Sequence, residues 1–508
     1  MRLGDLLENA ASVRGGSLER EVEFLTPDSR RVRPGSVFVA VPGLITDGHR
    51  YIADALRQGA VAIVGQKLEA VPPEVAAVEV ANSRIALGLL AARFYGDPSR
   101  EMLVVGVTGT NGKTTTAYLV ESLLREAGWQ VGIVGTVEYR WAGERHPALH
   151  TTPDASELQS LLRRMRDAGC DAAVIEVSSH ALDLHRLAGC DVDVGVFTNL
   201  THDHLDYHGS MEKYFEAKAR LFSEHLAEPE VKRPRWAVVN TDDPRAPDLL
   251  ARTPCSAITY ATHAEARVTA WEVELGLEGI RAEVVTPSGG IDLRSPLIGM
   301  HNLSNLLGAV SVGIALDIPL AKICQGVGGL ARVPGRMDRV GKTDDPHVFV
   351  DYAHTPDALE RMLGAAAKLA PGGLIALFGC GGDRDRAKRP VMGEVAARQA
   401  RLTIVTSDNP RGEDPLAIIE EILAGVRRAG GRRYEAGELK EMPGEPGYTV
   451  LPDRREAIRL ACRLAGNDRI VVIAGKGHEG YQIVGEEKLP FDDREEAVKA
   501  LGAIRTAK

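Results

Sequence analysis

Residues 106–116 read GVTGTNGKTTT and follow directly on the apolar run Met102-Leu103-Val104-Val105. An uninterrupted apolar run of this kind reads as a strand buried in a parallel sheet, with neither face left to water. The glycines permit a tight turn, and Lys113 and Thr114 begin a helix whose free N–H groups favour an anion. That helix carries Ala117, Val120, Leu124 and Ala127 on one face and is expected to stop at Gly128. A glycine loop alone can be an ordinary turn. Strand, loop, lysine, hydroxyl residue and amphipathic helix in succession specify a polyphosphate site. Thr110, Asn111, Gly112, Thr115 and Thr116 belong to it; Lys113 is expected to neutralise β- and γ-phosphates, and the Thr114 hydroxyl to hold Mg²⁺. The spacing departs from the common phosphate-loop pattern, since five residues rather than four separate Gly106 from Gly112.

Working outward, a chain of 508 residues is too long for one core and suggests about three domains. Its 44% apolar and 26% charged content is that of an ordinary globular protein. With 61 basic and 70 acidic residues the formal charge is −9, which argues against a nucleic-acid partner or an anionic-membrane surface. Any anionic ligand must be gripped locally. The opening MRLGDLLENAASVRGG has no apolar signal core and no apolar run reaches membrane length, so a cytoplasmic protein without membrane insertion is expected. Six scattered cysteines with no C-x-x-C pair read as reduced thiols rather than a disulfide framework or zinc site.

Strand and helix patterns alternate through GIVGT (132–136), AAVIEVSSH (172–180), VGVFTNL (194–200) and WAVVNTDD (236–243), which predicts an α/β fold with a parallel sheet covered on both faces. Short alternating strands around 265–295 suggest an antiparallel appendage. The rhythm restarts after VPGRMDRV with HVFVDYA (347–353), LIALFGCGGDRD (374–385), LTIVTSDNP (402–410) and RIVVIAGKGHE (469–479). The polar DPSR at 97–100 and the segment at 333–340 mark boundaries, giving domains 1–98, 99–335 and 336–508. The last three strands of the third domain run straight into glycine- or proline-bearing loops, which are expected to converge on one cleft at the carboxyl ends of the sheet.

Glu176, at the end of an apolar strand, and the cluster THDHLDYHG at 201–209 suggest metal ligation near the phosphate loop. Capping and turn chemistry explains each of these residues singly, Asp203 and Asp206 above all. Lys218 lies in a helical pattern with Tyr214, Phe215, Leu221 and Phe222, and spacing alone reads it as a surface lysine with its stem along the helix.

GVTGTNGKTTT, IEVSSH, TNLTHDHLDYHG, AKARLF, GMHNLSN, RVPGRMD, VDYAHTPDAL, GCGGDRD, TSDNPR and GKGHE occur in this order, and over essentially its whole length the chain resembles the Mur ligase family. Within the family it is most similar to the branch that adds the third residue of the peptidoglycan stem peptide. The resemblance implies a small α/β uridine-binding domain, a central phosphate-loop ATPase domain and a Rossmann-like carboxy-terminal domain for the incoming amino acid. It implies ATP and Mg²⁺, a UDP-MurNAc-L-Ala-D-Glu substrate, an acyl-phosphate intermediate and attack by meso-diaminopimelate. A monomer acting on small molecules, with other cell-wall enzymes as protein partners, goes with it.

Carried over residue by residue, Lys113, His204 and Lys218 are catalytic. Thr114 and Glu176 hold one Mg²⁺, and His204 with a carbamylated Lys218 the second. Asn302, Arg336, Asp351 and His354 lie toward the adenine and ribose of ATP, although without the family a helix cap for Asn302 and a linker charge for Arg336 suffice. Ser29, Thr151, Thr152, Ser178 and Arg186 bind the UDP-MurNAc-dipeptide. Leu184 stands where related enzymes can carry glutamine, which removes one polar contact. Arg384, Asp408, Asn409, Pro410, Arg411, Gly475 and Glu479 take diaminopimelate, with the Arg411 fork suited to its distal carboxylate and Glu479 to its distal ammonium. A sister ligase adding L-lysine is the nearest alternative. Folylpolyglutamate synthetases carry GTNGKGS rather than GTNGKTTT, and a catalytically silent cell-wall scaffold does not need Lys113, Glu176, His204 and Lys218 together. The absence of paired cysteines excludes the amide-forming relative with a zinc ribbon.

Overall fold

Strand Leu103–Thr108 lies inside an eleven-stranded sheet, hydrogen-bonded on either side to Ala172–Glu176 and Val194–Phe197, both parallel to it. The computed structural model that gives this arrangement describes every residue except 9–11, 44–45, 69–70, 228–232, 343, 467 and 508. Leu103, Val105 and Val107 enter one apolar core, Met102 and Val104 the other. The period of two is that of a strand with both faces covered. Helices Lys113–Glu126, Met300–Ala315 and Leu320–Gly328 contribute to the first core, and helix Ala155–Asp167 to the second.

Parallel strands Val131–Val134, Trp236–Asn240 and Ser256–Ala261 widen this sheet. The alternating segment at 265–295 forms antiparallel strands Val268–Gly276, Gly279–Thr286 and Gly289–Ser295, but it is no separate appendage. Tyr260 pairs with Val268, and the three strands extend the same sheet.

A five-stranded sheet precedes it, with Phe24–Thr26, Ser36–Val39, Ala60–Gly65 and Ala76–Glu79 parallel and Val13–Arg14 antiparallel at the edge. Helix Ser83–Phe94 joins it to the central sheet and comes so close to residues 188–189 that a Cβ on Gly88 would meet Ala188 O at 2.3 Å. The last large sheet has seven strands. In its middle His347–Asp351, Ile470–Ala474, Leu374–Phe378, Leu402–Val405 and Gly447–Val450 run parallel in that order, with Asp338–Val340 antiparallel at one edge. Strands 374–378, 402–405 and 470–474 are therefore neighbours with their carboxyl ends together. The expected three-domain α/β architecture is the one observed. No helix among the described residues is long and apolar enough to cross a membrane.

Candidate active site

The phosphate loop is built where space forbids side chains. Gly109 and Gly112 have φ of +148° and +85°, and a Cβ would fall 1.8 Å from Thr198 Oγ1 at the first and 2.4 Å from Asn305 Oδ1 at the second. Asn199 anchors the loop: its side-chain oxygen accepts from Asn111 N at 2.9 Å and its carbonyl from Thr110 N at 2.8 Å. Lys113 folds back over the turn and donates to the carbonyls of Gly109 and Thr110 at 2.8 and 2.9 Å. Burial holds its ammonium below the ordinary lysine value, against the opposing pull of Glu176 and Asp203. Thr115 and Thr116 are buried in the first helical turn, where Thr116 Oγ1 reaches Asn305 Oδ1 at 3.4 Å.

Glu176 is fully buried and accepts from Thr114 Oγ1 at 2.8 Å and from Thr136 Oγ1 and N, both at 2.9 Å. Thr136 lies two residues beyond the neighbouring strand Val131–Val134 and was not singled out from sequence; its place just past a strand end beside Glu176 is the signal that identifies it. Its hydroxyl meets Thr151 Oγ1 at 3.1 Å, and Thr152 Oγ1 donates to Glu176 O at 2.7 Å. Arg186 Nη1 donates to Thr152 O at 2.6 Å, and Ser178 Oγ caps the following helix through Ala181 N at 3.1 Å. Thr151 thus reaches the Glu176 carboxylate through Thr136, while Thr152, with Ser178 and Arg186 bonded to it, meets the Glu176 backbone carbonyl. Ser29 stands apart, on the turn Ser29–Arg31 of the first domain.

Lys218 is not the surface lysine that spacing suggests. On helix Met211–Arg220 it is buried, its Nζ donates to Gly109 O at 2.8 Å, and it lies 4.6 Å from the Tyr214 ring. The large apolar residues beside it turn this face of the helix into the core. Burial first, and the charge of Lys113 second, hold its amine well below the ordinary lysine value. Tyr214 OH meets Thr110 Oγ1 at 3.1 Å, and the His204 ring lies 6.1 Å from the Tyr214 ring. Tyr214 so ties Lys218, His204 and the phosphate loop together, a role its place among apolar residues concealed. His204 has a left-handed backbone, φ +52°, and pairs with Asp203 at 3.4 Å. Burial pushes its ring down to about 4, against the carboxylate of Asp203.

The linker to the third domain enters this site. Arg336 Nη2 donates to Thr114 Oγ1 at 3.1 Å, and its guanidinium lies 4.6 Å over the Tyr352 ring, so it is not a free surface charge. Asp351 has both oxygens engaged by backbone, Met337 N at 2.7 Å and Ala353 N at 2.8 Å. His354 Nδ1 bonds Tyr352 O at 2.8 Å. Asn302 donates to Ile298 O at 2.9 Å and accepts from Asn305 Nδ2 at 3.1 Å, which steadies Asn305 against Gly112. Asp357, unremarked in the sequence beyond its motif, accepts from Asn111 Nδ2 and Thr201 Oγ1 at 3.0 Å each across the two domains.

The three loops of the third domain converge as expected. Asn409 Nδ2 donates to Glu479 Oε2 at 2.9 Å, Lys476 Nζ to Asn409 Oδ1 at 3.1 Å and to Glu479 Oε2 at 3.3 Å. A Cβ on Gly475, φ +112°, would meet Asp408 Oδ2 at 2.6 Å. Arg411 adopts φ +51°, its N–H bonds Ile483 O at 3.1 Å, and its Nη1 donates to Gly382 O at 2.8 Å. Pro410 O approaches Gly382 so closely that a Cβ there would come to 1.8 Å. Arg384 is exposed and gives one N–H to Asp383 O at 3.0 Å. Guanidinium donors thus stand near a lysine–glutamate pair whose lysine is buried and whose glutamate is half-buried.

Comparison with known proteins gives the family. Residues 107–313 match the family model described as Mur ligase middle domain, 335–477 that of the Mur ligase glutamate ligase domain, and 21–95 that of the Mur ligase family catalytic domain. The chain belongs to the Mur ligase family. Within it, the chain is 49% identical to the UDP-N-acetylmuramoyl-L-alanyl-D-glutamate–2,6-diaminopimelate ligase of Geobacter metallireducens, over 98% of each chain. It is 45% identical to the enzyme of that name from Synechococcus elongatus, over 97% of this chain and 96% of the other. A solved structure of a ligase so named superposes with a TM-score of 0.72 at 33% identity, covering 99% of both chains. Folylpolyglutamate synthase of Mycobacterium tuberculosis shares the fold, with a TM-score of 0.60 at 19% identity over 84% of this chain and 94% of the other.

Proposed function

We propose that this chain is the ATP-dependent ligase that joins diaminopimelate, in its meso form, to UDP-N-acetylmuramoyl-L-alanyl-D-glutamate in peptidoglycan precursor synthesis. The observation that carries the reading is the meeting of Arg411, Asn409 and Glu479 at neighbouring strand ends of a chain nearly half identical to ligases of that name. Carboxylate and amine do not condense unaided in water. Transfer of the γ-phosphoryl group from ATP to the terminal carboxylate releases ADP and gives an acyl phosphate. The amine then attacks the carbonyl carbon, the C–O bond to phosphate breaks, and the ammonium proton is shed. Phosphate is the leaving group.

Lys113 supplies positive charge at the phosphate loop, where a fixed cation in a desolvated site opposes the repulsion between carboxylate and phosphate. Arg336 brings a second cation to the same loop from the linker. Thr114 Oγ1 and Glu176, a hydroxyl and a carboxylate 2.8 Å apart, are hard oxygen donors that suit Mg²⁺. His204 with Lys218 as its carbamate is the proposed second donor set; bound there, magnesium would offset developing phosphate charge. Thr151, Thr152, Ser178 and Arg186, beside Glu176, are proposed to hold the acceptor peptide, with Ser29 on the uridine side. Asn302, Asp351 and His354 are proposed to shape the nucleoside side. The reaction is placed in the cytoplasm, where ATP and nucleotide-linked precursors are found.

The Arg411 fork fits the distal carboxylate of diaminopimelate, a group that L-lysine lacks. Lysine would leave the guanidinium donors not already bonded to Gly382 O without a carboxylate to receive them, and sites built for a polar group reject analogues lacking it by ~10⁴-fold. Phosphate release with the nucleotide-linked dipeptide and either amino acid should favour diaminopimelate by that order. Arg411→Ala should lose most of the preference. Comparable catalytic efficiency with both amino acids in the wild type would overturn the reading.

A further inference from the structure

Behind the loops that carry Arg384 and Arg411 lies a guanidinium that no bound ligand can touch. Arg389, on helix Lys388–Gln399, has a fully buried side chain. Its Nη1 donates to Glu413 Oε2 at 2.9 Å and to Glu421 Oε2 at 2.8 Å, and its Nη2 to Glu413 Oε1 at 2.8 Å and to Gly381 O at 3.1 Å. Glu413 Oε1 also accepts from Asp383 N at 2.6 Å. One bidentate ion pair therefore grips both sides of the site, residues 381–383 through Gly381 O and Asp383 N, and residues 410–413 through Glu413 itself. Around it the loops are laced directly: Gly382 N donates to Asn409 O at 2.9 Å, Gly412 N to Asp383 Oδ2 at 3.0 Å, and Arg411 Nη1 to Gly382 O at 2.8 Å.

We propose that Arg389 and Glu413 are a positioning pair, fixing the separation and aim of Arg384 and Arg411 and thereby the enzyme's discrimination for an amino acid with a distal carboxylate. The proposal rests on the diaminopimelate reading above. Arg384 is the residue after Asp383, and Arg411 lies two before Glu413, so each ligand-facing arginine sits on backbone that the pair holds. The planar fork is what permits two parallel bonds to one carboxylate with donors to spare for Gly381 O, which a lysine cannot reproduce. Burying a guanidinium is expensive, and Arg389 Nε has no acceptor among the described residues. An apolar side chain would fill the same space at less cost, so packing alone does not account for it. The Glu413 carboxyl is held well below the usual range, to about 2, by the Arg389 hydrogen bonds first and Asp383 N second. It therefore stays an ionised acceptor at neutral pH.

Glu421 supplies the control. It pairs with the same guanidinium and with the exposed side chain of Arg386, two residues beyond Arg384, but bonds neither residues 381–383 nor residues 410–413. Phosphate release by the full-length protein should show KM for diaminopimelate raised roughly 10- to 100-fold in Glu413→Gln and Arg389→Met, the range expected for misplacing a binding group by about 1 Å. KM for ATP and for the nucleotide-linked peptide should stay within about threefold, and the preference over L-lysine should shrink. Glu421→Gln should behave as wild type. If Arg389→Met does not fold, judged by its thermal melt, Glu413→Gln decides alone. Unchanged KM for diaminopimelate in Glu413→Gln, an equal rise for all three substrates, or the same rise in Glu421→Gln would overturn the positioning role. Wild-type protein that releases no phosphate in response to diaminopimelate is a different result, and it overturns the underlying reading.

Discussion

Lys113 and Lys218 aim their amino groups at one carbonyl oxygen, that of Gly109, each at 2.8 Å. Two ammoniums so close repel, and the fully buried Lys218 is the one more easily left neutral. A neutral amine is the form that adds to carbon dioxide: its nitrogen bonds the carbon, a proton leaves, and a carbamate anion results. The proposed carbamate turns a repelling cation into a carboxylate-like oxygen donor beside Lys113. Protein equilibrated with ¹³C-bicarbonate should show a carbamate carbon resonance that is absent from Lys218→Ala. That variant should lose activity by on the order of 10²-fold or more, with partial restoration by short carboxylic acids. A fully active enzyme with no carbamate signal would refute the idea. None of this was legible from spacing, which gives Lys218 a surface stem, and only the family resemblance nominated it. Lys113, Thr114 and Glu176 were legible because they occupy fixed places at strand ends and a helix start. Thr136 and Tyr214 were harder to find, since their contacts with Glu176 and Thr110 span 40 and 104 residues of chain.

Among the elements, the linker at 333–337 is the most constrained. Gly335 has φ +65°, Met337 φ +45°, and the backbone is held by Tyr352 N to Gly335 O at 2.8 Å and Met337 N to Asp351 at 2.7 Å. A Cβ on Gly335 would fall 2.4 Å from His478 N and 2.6 Å from Gly477 C. Backbone cannot yield there as a flexible side chain would. Gly335→Ala should therefore cost about 3 kcal/mol in denaturant unfolding, from strained φ plus displacement of the 477–478 loop, and reduce turnover as well. Gly437→Ala, with no atom within 4 Å of its added Cβ, should stay within about 0.5 kcal/mol of wild type. Equal stability of the two variants would show that the linker is not clamped. Apolar runs and glycine-bearing loop starts were enough to read the strands and the convergence of three loops from sequence. The antiparallel strands at 268–295 were recognised as strands but not as the edge of the central sheet. That placement depends on the pairing of Tyr260 with Val268, which local alternation does not encode.

Over the whole molecule, half-buried histidines contribute to the response to acid. Burial pushes His204, His225 and His301 down to about 4 and His478 to about 3, so they are neutral when folded but take up protons near pH 6.5 when unfolded. Their contribution to stability is complete above that pH and is lost as pH falls toward 4. Melting temperature should drop across this window with uptake on the order of four protons on unfolding, and a flat profile between pH 6.5 and 4 would contradict it. The domains are joined by fewer groups, and Asp357 is the one whose loss reads most directly. On helix Pro356–Lys368 of the third domain, its Oδ2 accepts from Asn111 in the phosphate loop and from Thr201 beside it, at 3.0 Å each. Its Oδ1 takes Arg361 Nε at 2.9 Å, which fixes the carboxylate toward the loop. Hydrogen bonds to a charged acceptor contribute about 1.5–3 kcal/mol each when shielded, and less at a partly exposed side chain such as this one. Losing both need shift the balance by only about 1.4 kcal/mol to change the ratio of closed to open molecules tenfold. Ligand-free Asp357→Ala should accordingly show a larger radius of gyration than wild type in small-angle X-ray scattering. Asp357→Asn should fall between them, because its amide oxygen still accepts but carries no charge. Superimposable scattering from all three proteins would mean that this contact does not hold the domains together, and that closure depends on the linker or on substrate instead.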